Sequence, residues 1–269
     1  MKKRIIFIEY GAQERFLNQT KYSVMTLQAF NQLDKSDIII YTEQPKRYEQ
    51  MAVTTRSISD KVFDYSLGGK YHFRIKPCVL LDALREHECP ILFLDTDTFC
   101  NADLTKKIAS IKTDNVLMNT FETTNPYPEF TMGSVELPSG VLYSHDPKKT
   151  KMFNSGVIGV DRGHELVLQD AIFIIDVMLN NGLKRHTAEQ TAISEAFRVH
   201  NIQVSEINKE ITHYTRSTGK NYMDAMIRKE LATVEVNSPY PKNKFIKFNW
   251  FIPRLYKLSK KLRSNEKNH

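Results

Sequence analysis

Cysteine is scarce: only Cys78, Cys89 and Cys100 occur in 269 residues, with no C-x-x-C pair and no cysteine/histidine pattern. The chain therefore offers neither a disulfide framework nor the spacing of a zinc site. An odd set of thiols fits small buried apolar groups in a reducing compartment. Long hydrophobic runs are absent too, and nothing approaches the roughly 18 apolar residues that a membrane span requires. Met1-Lys2-Lys3-Arg4 followed by Ile5 to Ile8 starts like a signal peptide, but Glu9 ends the apolar run well short of an h-region. It is expected as a first buried strand of a cytoplasmic protein. There is no internal repeat and no low-complexity segment.

What is present suits an enzyme-sized core. Apolar residues make up 41% of the chain and aromatics 10%, with 26% charged residues to keep the surface soluble. The formal net charge of +7 invites a nucleic-acid reading, but its location argues against one. Beyond Pro241, Lys242, Lys244, Lys247, Arg254, Lys257, Lys260, Lys261, Arg263 and Lys267 face the single acid Glu266, and the body before them is close to neutral. Phe245, Ile246, Phe248, Trp250, Phe251, Ile252, Leu255, Tyr256 and Leu258 are woven among these cations. Such an amphipathic basic segment binds an anionic bilayer surface in-plane; packing on the domain with a solvated basic edge is the alternative. The expected organisation is one domain over residues 1–240 and a basic amphipathic tail over 241–269.

From residue 4 to about residue 115, short apolar runs alternate with segments of helical period, the signature of an α/β fold with a mostly parallel central sheet flanked by helices. Strands are expected at Arg4–Glu9, Asp37–Thr42, Val62–Phe63 with their neighbours, Ile91–Leu94 and Asn115–Asn119. Helices are expected at Lys21–Leu33, Phe73–Glu86 and briefly after Asn101. Between Thr120 and Lys151 the pattern dissolves among Pro126, Pro128, Gly133, Pro138, Gly140 and Pro147, as in a functional or moving loop. Helical period returns at Glu165–Asn180 and Ala188–Phe197.

The sharpest chemical signal is Ile91-Leu-Phe-Leu-Asp95-Thr96-Asp97. Strand alternation puts the two carboxylates on one side at the carboxyl edge of the sheet, where open α/β folds bind ligands. Side by side they repel, and a hard divalent cation is the natural third party. A surface turn with capping aspartates is the plain alternative. A phosphatase of the haloacid dehalogenase type is another, although that family places its paired aspartates on the first strand.

The motif resembles the Asp-x-Asp site of nucleotide-sugar glycosyltransferases of the GT-A fold, and four further segments match in order. Tyr71-His-Phe-Arg74 resembles the helix that carries a donor-binding arginine. Phe153-Asn154-Ser155-Gly156-Val157 resembles a signature lining the sugar pocket. Ala188-Glu189-Gln190 is similar to an Asp-Gln segment, and His213, Gly219 and Lys220 to a late His, Gly and Lys. The match is to family 8, which includes bacterial lipopolysaccharide galactosyl- and glucosyltransferases, and runs over about residues 4 to 222.

The resemblance implies a metal-dependent, retaining hexosyltransferase using a UDP-sugar donor and a glycan or glycolipid acceptor in cell-surface polysaccharide synthesis. Asp95, Asp97 and His213 would hold Mn²⁺ or Mg²⁺; carboxylates suit both ions, and a single imidazole is compatible with Mn²⁺. Arg74, Lys220, Asp95, Thr96 and Asp97 would hold the donor diphosphate, Asn154 and Ser155 its sugar, and Glu9 and Tyr10 its base. Gln190 or Glu189 would lie under the anomeric carbon, although Glu189 stands where the family has Asp. The stretch from Asn125 to Pro147 would close over bound donor and exclude water. The tail would hold the enzyme at the inner face of the plasma membrane. A non-catalytic nucleotide-sugar or carbohydrate-binding protein on this scaffold is the remaining alternative.

Overall fold

The computed structural model describes residues 2–11, 13–234, 246, 248–249 and 251–258. Its centre is a seven-stranded sheet assembled from β1 (Arg4–Glu9), β2 (Ile38–Thr42), β3 (Thr54–Ser57), β4 (Ile91–Leu94) and three later strands. Between β4 and those later strands lies β5 (Thr98–Cys100), outside the sheet. The rest of the sheet comes from β6 (Asn115–Met118), then, after β7 (Phe121–Thr124), β8 (Val135–Glu136), β9 (Leu142–Tyr143) and β10 (Lys151–Phe153), from β11 (Val157–Val160) and β12 (Gln203–Glu206). A last strand, β13 (Ile211–His213), returns to pair with β5. The order across the sheet is β12-β6-β11-β4-β1-β2-β3. All neighbours run parallel except β11, which is antiparallel to both β4 and β6. The expected α/β architecture with a mostly parallel sheet is therefore present.

Strand alternation divides the core into two layers. Ile6, Ile8, Ile91, Phe93, Ile158 and Val160 face one side, under α3 (Ile75–Glu86), α5 (Glu165–Asn180) and α6 (Ala188–Val199). Ile5, Phe7, Leu92, Leu94, Val157 and Leu117 face the other, with α1 (Glu14–Phe30) and α4 (Thr105–Ala109). Burying both faces of these strands explains why they read as continuous apolar runs.

Two expected elements fall elsewhere. The segment at Val62 and Phe63 is a short helix, α2 (Val62–Tyr65), with Phe63 71% exposed. It leads into a reversal in which Leu67, Gly68 and Gly69 all have positive φ. The third strand on this side is instead Thr54–Ser57, a half-exposed edge of sequence TTRS that has no apolar signature. The helix expected at Lys21–Leu33 spans Glu14–Phe30. Its buried face carries Gln19, Thr20, Ser23 and Thr26, and these polar side chains obscure the helical period. They are satisfied internally: Gln19 donates to Asp224 (2.7 Å), Ser23 meets Thr98 (3.3 Å), and the Cys100 N–H donates to Thr26 (3.0 Å).

The proline- and glycine-rich stretch contains the β8–β9 hairpin. Tyr143 and Leu137 are buried, Ser139 donates from its backbone (3.0 Å) and hydroxyl to the buried Asp170 of α5, and Tyr127 bonds Thr187 beside α6. The segment expected to move is thus pinned to the two helices beneath it.

After β13 comes α7 (Ser217–Leu231), which packs on α1. Over it lie Ile246, Phe248, Ile252 and Tyr256, with Phe248 against the rings of Phe99, Tyr214 and Tyr222. Part of the tail therefore packs on the domain, while Phe251, Leu255 and Leu258 are exposed beside exposed Arg254 and Lys257. The proposed boundary at residue 240, and Lys242, Lys244, Phe245, Lys247, Trp250, Lys260, Lys261, Arg263, Glu266 and Lys267, lie outside the described residues. Among the described residues no helix is long and apolar enough to cross a membrane.

Candidate active site

Strand order reverses between β1 and β4, and their carboxyl ends open a crevice there. A pocket of about 90 Å³ occupies it, lined by Ile8, Tyr10, Phe73, Lys76, Phe93 and Asp95. Because β11 runs antiparallel to β4, its start lies beside the end of β4: Val157 opposes Leu94, and the Asp95 N–H donates to the Gly156 carbonyl at 2.8 Å. That one pairing carries Asn154, Ser155 and Gly156 to the aspartates. Likewise β13 pairs with β5 so that His213 opposes Thr98, and the Tyr214 N–H donates to the Asp97 carbonyl at 3.2 Å.

The result is a cluster in which one ligand atom each from Asp95, Asp97 and His213 lies within 4.8 Å of the others. His213 Nε2 is 3.1 Å from Asp97 Oδ1 and 3.8 Å from Asp95 Oδ2. Its other nitrogen, Nδ1, is 2.7 Å from Asn154 Oδ1. The orientation of that amide is fixed from both ends, since Oδ1 also accepts from the Gly156 N–H at 2.9 Å and Nδ2 donates to Glu122 at 2.7 Å. Nδ1 must therefore be the donor, and in the neutral ring the lone pair of Nε2 faces the carboxylates, the tautomer a metal requires. Gly156 makes room for the ring: a Cβ there would lie 2.1 Å from His213 Nδ1. Two carboxylates and a correctly tautomerised imidazole converging on one point fit a divalent cation with oxygen preference that tolerates one nitrogen.

Each aspartate also carries a lysine. Lys220 Nζ is 2.7 Å from Asp97 Oδ2. Burial by itself would raise the pKa of Asp97, but His213 and Lys220 outweigh it and hold the carboxyl well below the usual range. Lys76, the second residue of α3, reaches Asp95 at 3.2 Å, both Ser155 oxygens at 3.1 Å and Glu189 at 3.5 Å. Burial opposes its charge, yet Asp95 and Glu189 raise its pKa above the ordinary lysine value. The sequence did not single out Lys76. Arg74, expected at the diphosphate, instead makes a two-pronged ion pair with Asp176 of α5 at 2.6 and 2.9 Å and donates to the Tyr65 carbonyl. The helix thus presents the residue two places later to the aspartates.

The other expected residues divide in the same way. Gln190 and Asn154 are brought together, each donating at 2.7 Å to a different oxygen of Glu122, an exposed carboxylate on β7 that sequence reasoning missed. Nothing in its sequence neighbourhood signals it, since β8 and β9 separate β7 from the Asn154 segment. Tyr10 lines the pocket and stacks beside His72. Glu9, by contrast, is 2% exposed and committed to Thr42 (2.7 Å) and Arg47 (3.3 Å). Thr96 turns toward α1 and donates to Gln19 at 3.2 Å. Ser155 is buried and donates to Glu189 at 2.9 Å.

Glu189 is 2% exposed, so it sits behind Ser155 and Lys76, away from open space. Burial, with Asp95 adding and Lys76 and Ser155 opposing, pushes its pKa up to about 7. The folded protein therefore holds this proton more tightly than the unfolded chain, and Glu189 weakens the fold progressively as pH rises from about 4.5 to about 7. Replacing it with the uncharged Glu189→Gln is expected to remove that slope, improving stability relative to the unmodified protein by on the order of 2 kcal/mol more at pH 8 than at pH 5. Thermal melts of both proteins at the two pH values check this; a difference independent of pH would mean that Glu189 is ionised throughout.

No family model matches the chain, and no curated protein sequence does. Among solved structures it is similar to the apo form of mouse xyloside xylosyltransferase 1, at 12% identity and a TM-score of 0.48 over 77% of this chain and 85% of that one. It is also similar to the apo bifunctional glycosyltransferase WbbM, at 11% identity and a TM-score of 0.46 over 84% of this chain and 44% of that one. Likenesses of this size say nothing of the chemistry, which rests on the residues themselves.

Proposed function

We propose that the protein is a metal-dependent glycosyltransferase of GT-A type that moves a hexose from a UDP-sugar to a glycan or glycolipid. The observation that carries the reading is the convergence of Asp95, Asp97 and His213 with a lysine on each aspartate. This is an anion-compatible, cation-binding site at the switch point of an α/β sheet. Mn²⁺ or Mg²⁺ held there would offset the negative charge that develops on a diphosphate leaving group as the sugar–phosphate bond breaks.

The chain's own groups supply the rest. Lys76 and Lys220 are the cations nearest the aspartates, and they bind the diphosphate oxygens in place of Arg74. Tyr10 and Phe73, the rings of the pocket wall that follow β1 and precede α3, stack on the base. The amides of Asn154 and Gln190 orient the sugar hydroxyls, and Glu122 holds the two amides in register. Gln190 is buried but bonds the exposed Glu122, whereas Glu189 is tied to Ser155 and Lys76, so Gln190 is the better candidate for the anomeric face. The role of Glu189 is to fix Lys76. The pinned hairpin over α5 and α6 forms the acceptor side. The exposed Phe251, Leu255 and Leu258 beside Arg254 and Lys257 serve an anionic membrane surface that presents a lipid-linked acceptor.

The test is release of UDP from UDP-glucose, UDP-galactose and their N-acetylated relatives, with Mn²⁺, Mg²⁺ or EDTA, in the presence and absence of saccharide acceptors. Metal-dependent release from one donor is the expected result and names the sugar. Hydrolysis of a simple phosphate ester without UDP release would instead favour an aspartate-nucleophile phosphatase. Binding of UDP-sugar with no turnover under any acceptor would leave a binding protein.

A further inference from the structure

The two lysines on the aspartates are held very differently. Lys76 has an 11% exposed side chain and is tied to Asp95, Glu189 and both oxygens of Ser155, with the Phe93 ring 5.2 Å beneath it. It cannot leave without stranding a buried carboxylate. Lys220 stands in the first turn of α7 with a 38% exposed side chain, and among the described residues its one ion-pair partner is Asp97. It takes Oδ2, the carboxylate oxygen left over by His213, which faces Oδ1. Lys220 therefore sits at an oxygen that a cation bound between the aspartates would compete for, and it is free to swing into solvent.

Charge tells the same story. Asp95, Asp97 and Glu189 supply the negative charge of this centre, and Lys76 and Lys220 offset two of the three. A divalent cation arriving alone meets a centre already close to neutral and must displace or share with an ammonium 2.7 Å from one of its ligands. A diphosphate arriving with the cation gives that ammonium a new partner.

On the reading given above, we propose that Lys220 is an exchangeable counter-ion. It neutralises Asp97 in the empty site and transfers to the diphosphate when cation and nucleotide bind together, so that each ligand strengthens the other and the cation alone is held weakly. Because coupling between two ligands is reciprocal, a single lysine then sets both the metal affinity of the free protein and the metal dependence of nucleotide binding. The arrangement suppresses loading by metal in the absence of donor.

The experiment titrates the whole protein with Mn²⁺ alone, followed by electron paramagnetic resonance, and with UDP at zero and saturating Mn²⁺, followed by calorimetry. Unmodified protein is compared with Lys220→Met, and with Lys220→Gln as a second, more soluble replacement. Removing the charge is expected to tighten Mn²⁺ alone on the order of tenfold while weakening UDP in saturating Mn²⁺ by a similar factor, so that the coupling collapses. Mn²⁺ affinity that is unchanged or weaker in both variants overturns the exchange while leaving the transferase reading in place. UDP binding by the unmodified protein that is indifferent to Mn²⁺ overturns both.

Discussion

Asp97→Asn is expected to lower metal-dependent UDP release by on the order of 10³-fold, the scale of losing a charge-stabilising group at a developing anion. The size follows from how many roles meet on this carboxylate. One oxygen faces His213 Nε2 at 3.1 Å and the other Lys220 at 2.7 Å, so Asp97 positions the imidazole and the lysine as well as facing the proposed cation. An amide replaces an anionic oxygen with an N–H₂ group aimed at either the His213 ring or the Lys220 ammonium. Stability should fall as well. A carboxyl held below its unfolded value stabilises the fold at pH values above the ordinary aspartate range and loses that contribution as pH falls through the folded value. The variant is therefore expected to melt earlier at pH 7 and to approach the unmodified protein in acid. Assays well below the melting temperature separate the two effects. Retention of more than a tenth of the metal-dependent rate by a folded Asp97→Asn would remove Asp97 from the centre.

Gly156→Ala should be nearly as damaging, although Gly156 has no side chain to contribute. A methyl group there would stand 2.1 Å from Nδ1 and 2.2 Å from Cε1 of His213, and 2.9 Å from Asn154 Oδ1, well inside contact distance. The backbone of Gly156 cannot retreat, because its carbonyl is the acceptor for the Asp95 N–H at the junction of β4 and β11. The ring is what must move, and in moving it loses the Asn154 bond that fixes its tautomer. Disturbing such an orienting contact typically costs 10- to 100-fold in metal affinity, so Mn²⁺ binding in the presence of UDP should weaken by about that factor. Gly156→Ala and His213→Ala should then resemble one another in metal titrations. An alanine variant that binds Mn²⁺ like the unmodified protein would show that His213 is no ligand.

How much of this was legible beforehand depended on what kind of force fixed each residue. The strands at Arg4–Glu9 and Ile91–Leu94 announce themselves because both of their faces are buried. Asp95 and Asp97 then follow from the place where the second run stops. The edge strand Thr54–Ser57 is held by backbone pairing to β2 and carries no apolar pattern, so nothing in its residues betrays it. The early half of α1 is hidden for a related reason. Gln19, Ser23 and Thr26 are buried because they bond to α7, β5 and its neighbours, and those partners are known only once the chain has folded. Arg74 and Lys76 make the sharpest case. Both are cations at the start of one helix, and motif order favours the first. Which one reaches Asp95 is decided by the facing acid on α5, where Asp176 claims the arginine. Glu122 was invisible because its importance lies in two amides separated from it by 32 and 68 positions.

The order in which the chain supplies its parts has a consequence for synthesis. The seven-stranded sheet has all its members once Glu206 is made, yet β13 and α7, which bring His213 and Lys220, come afterwards. A nascent chain emerging from the ribosome would close its hydrophobic layers before it owned a complete cation site, and the bare aspartates would wait beside Lys76 alone. Maturation of the centre is thus a late docking step, in which two short elements fold back across contacts more than a hundred residues distant in sequence, the kind of long-range closure that is slow to form. Recovery of metal binding during refolding should accordingly lag behind recovery of the sheet.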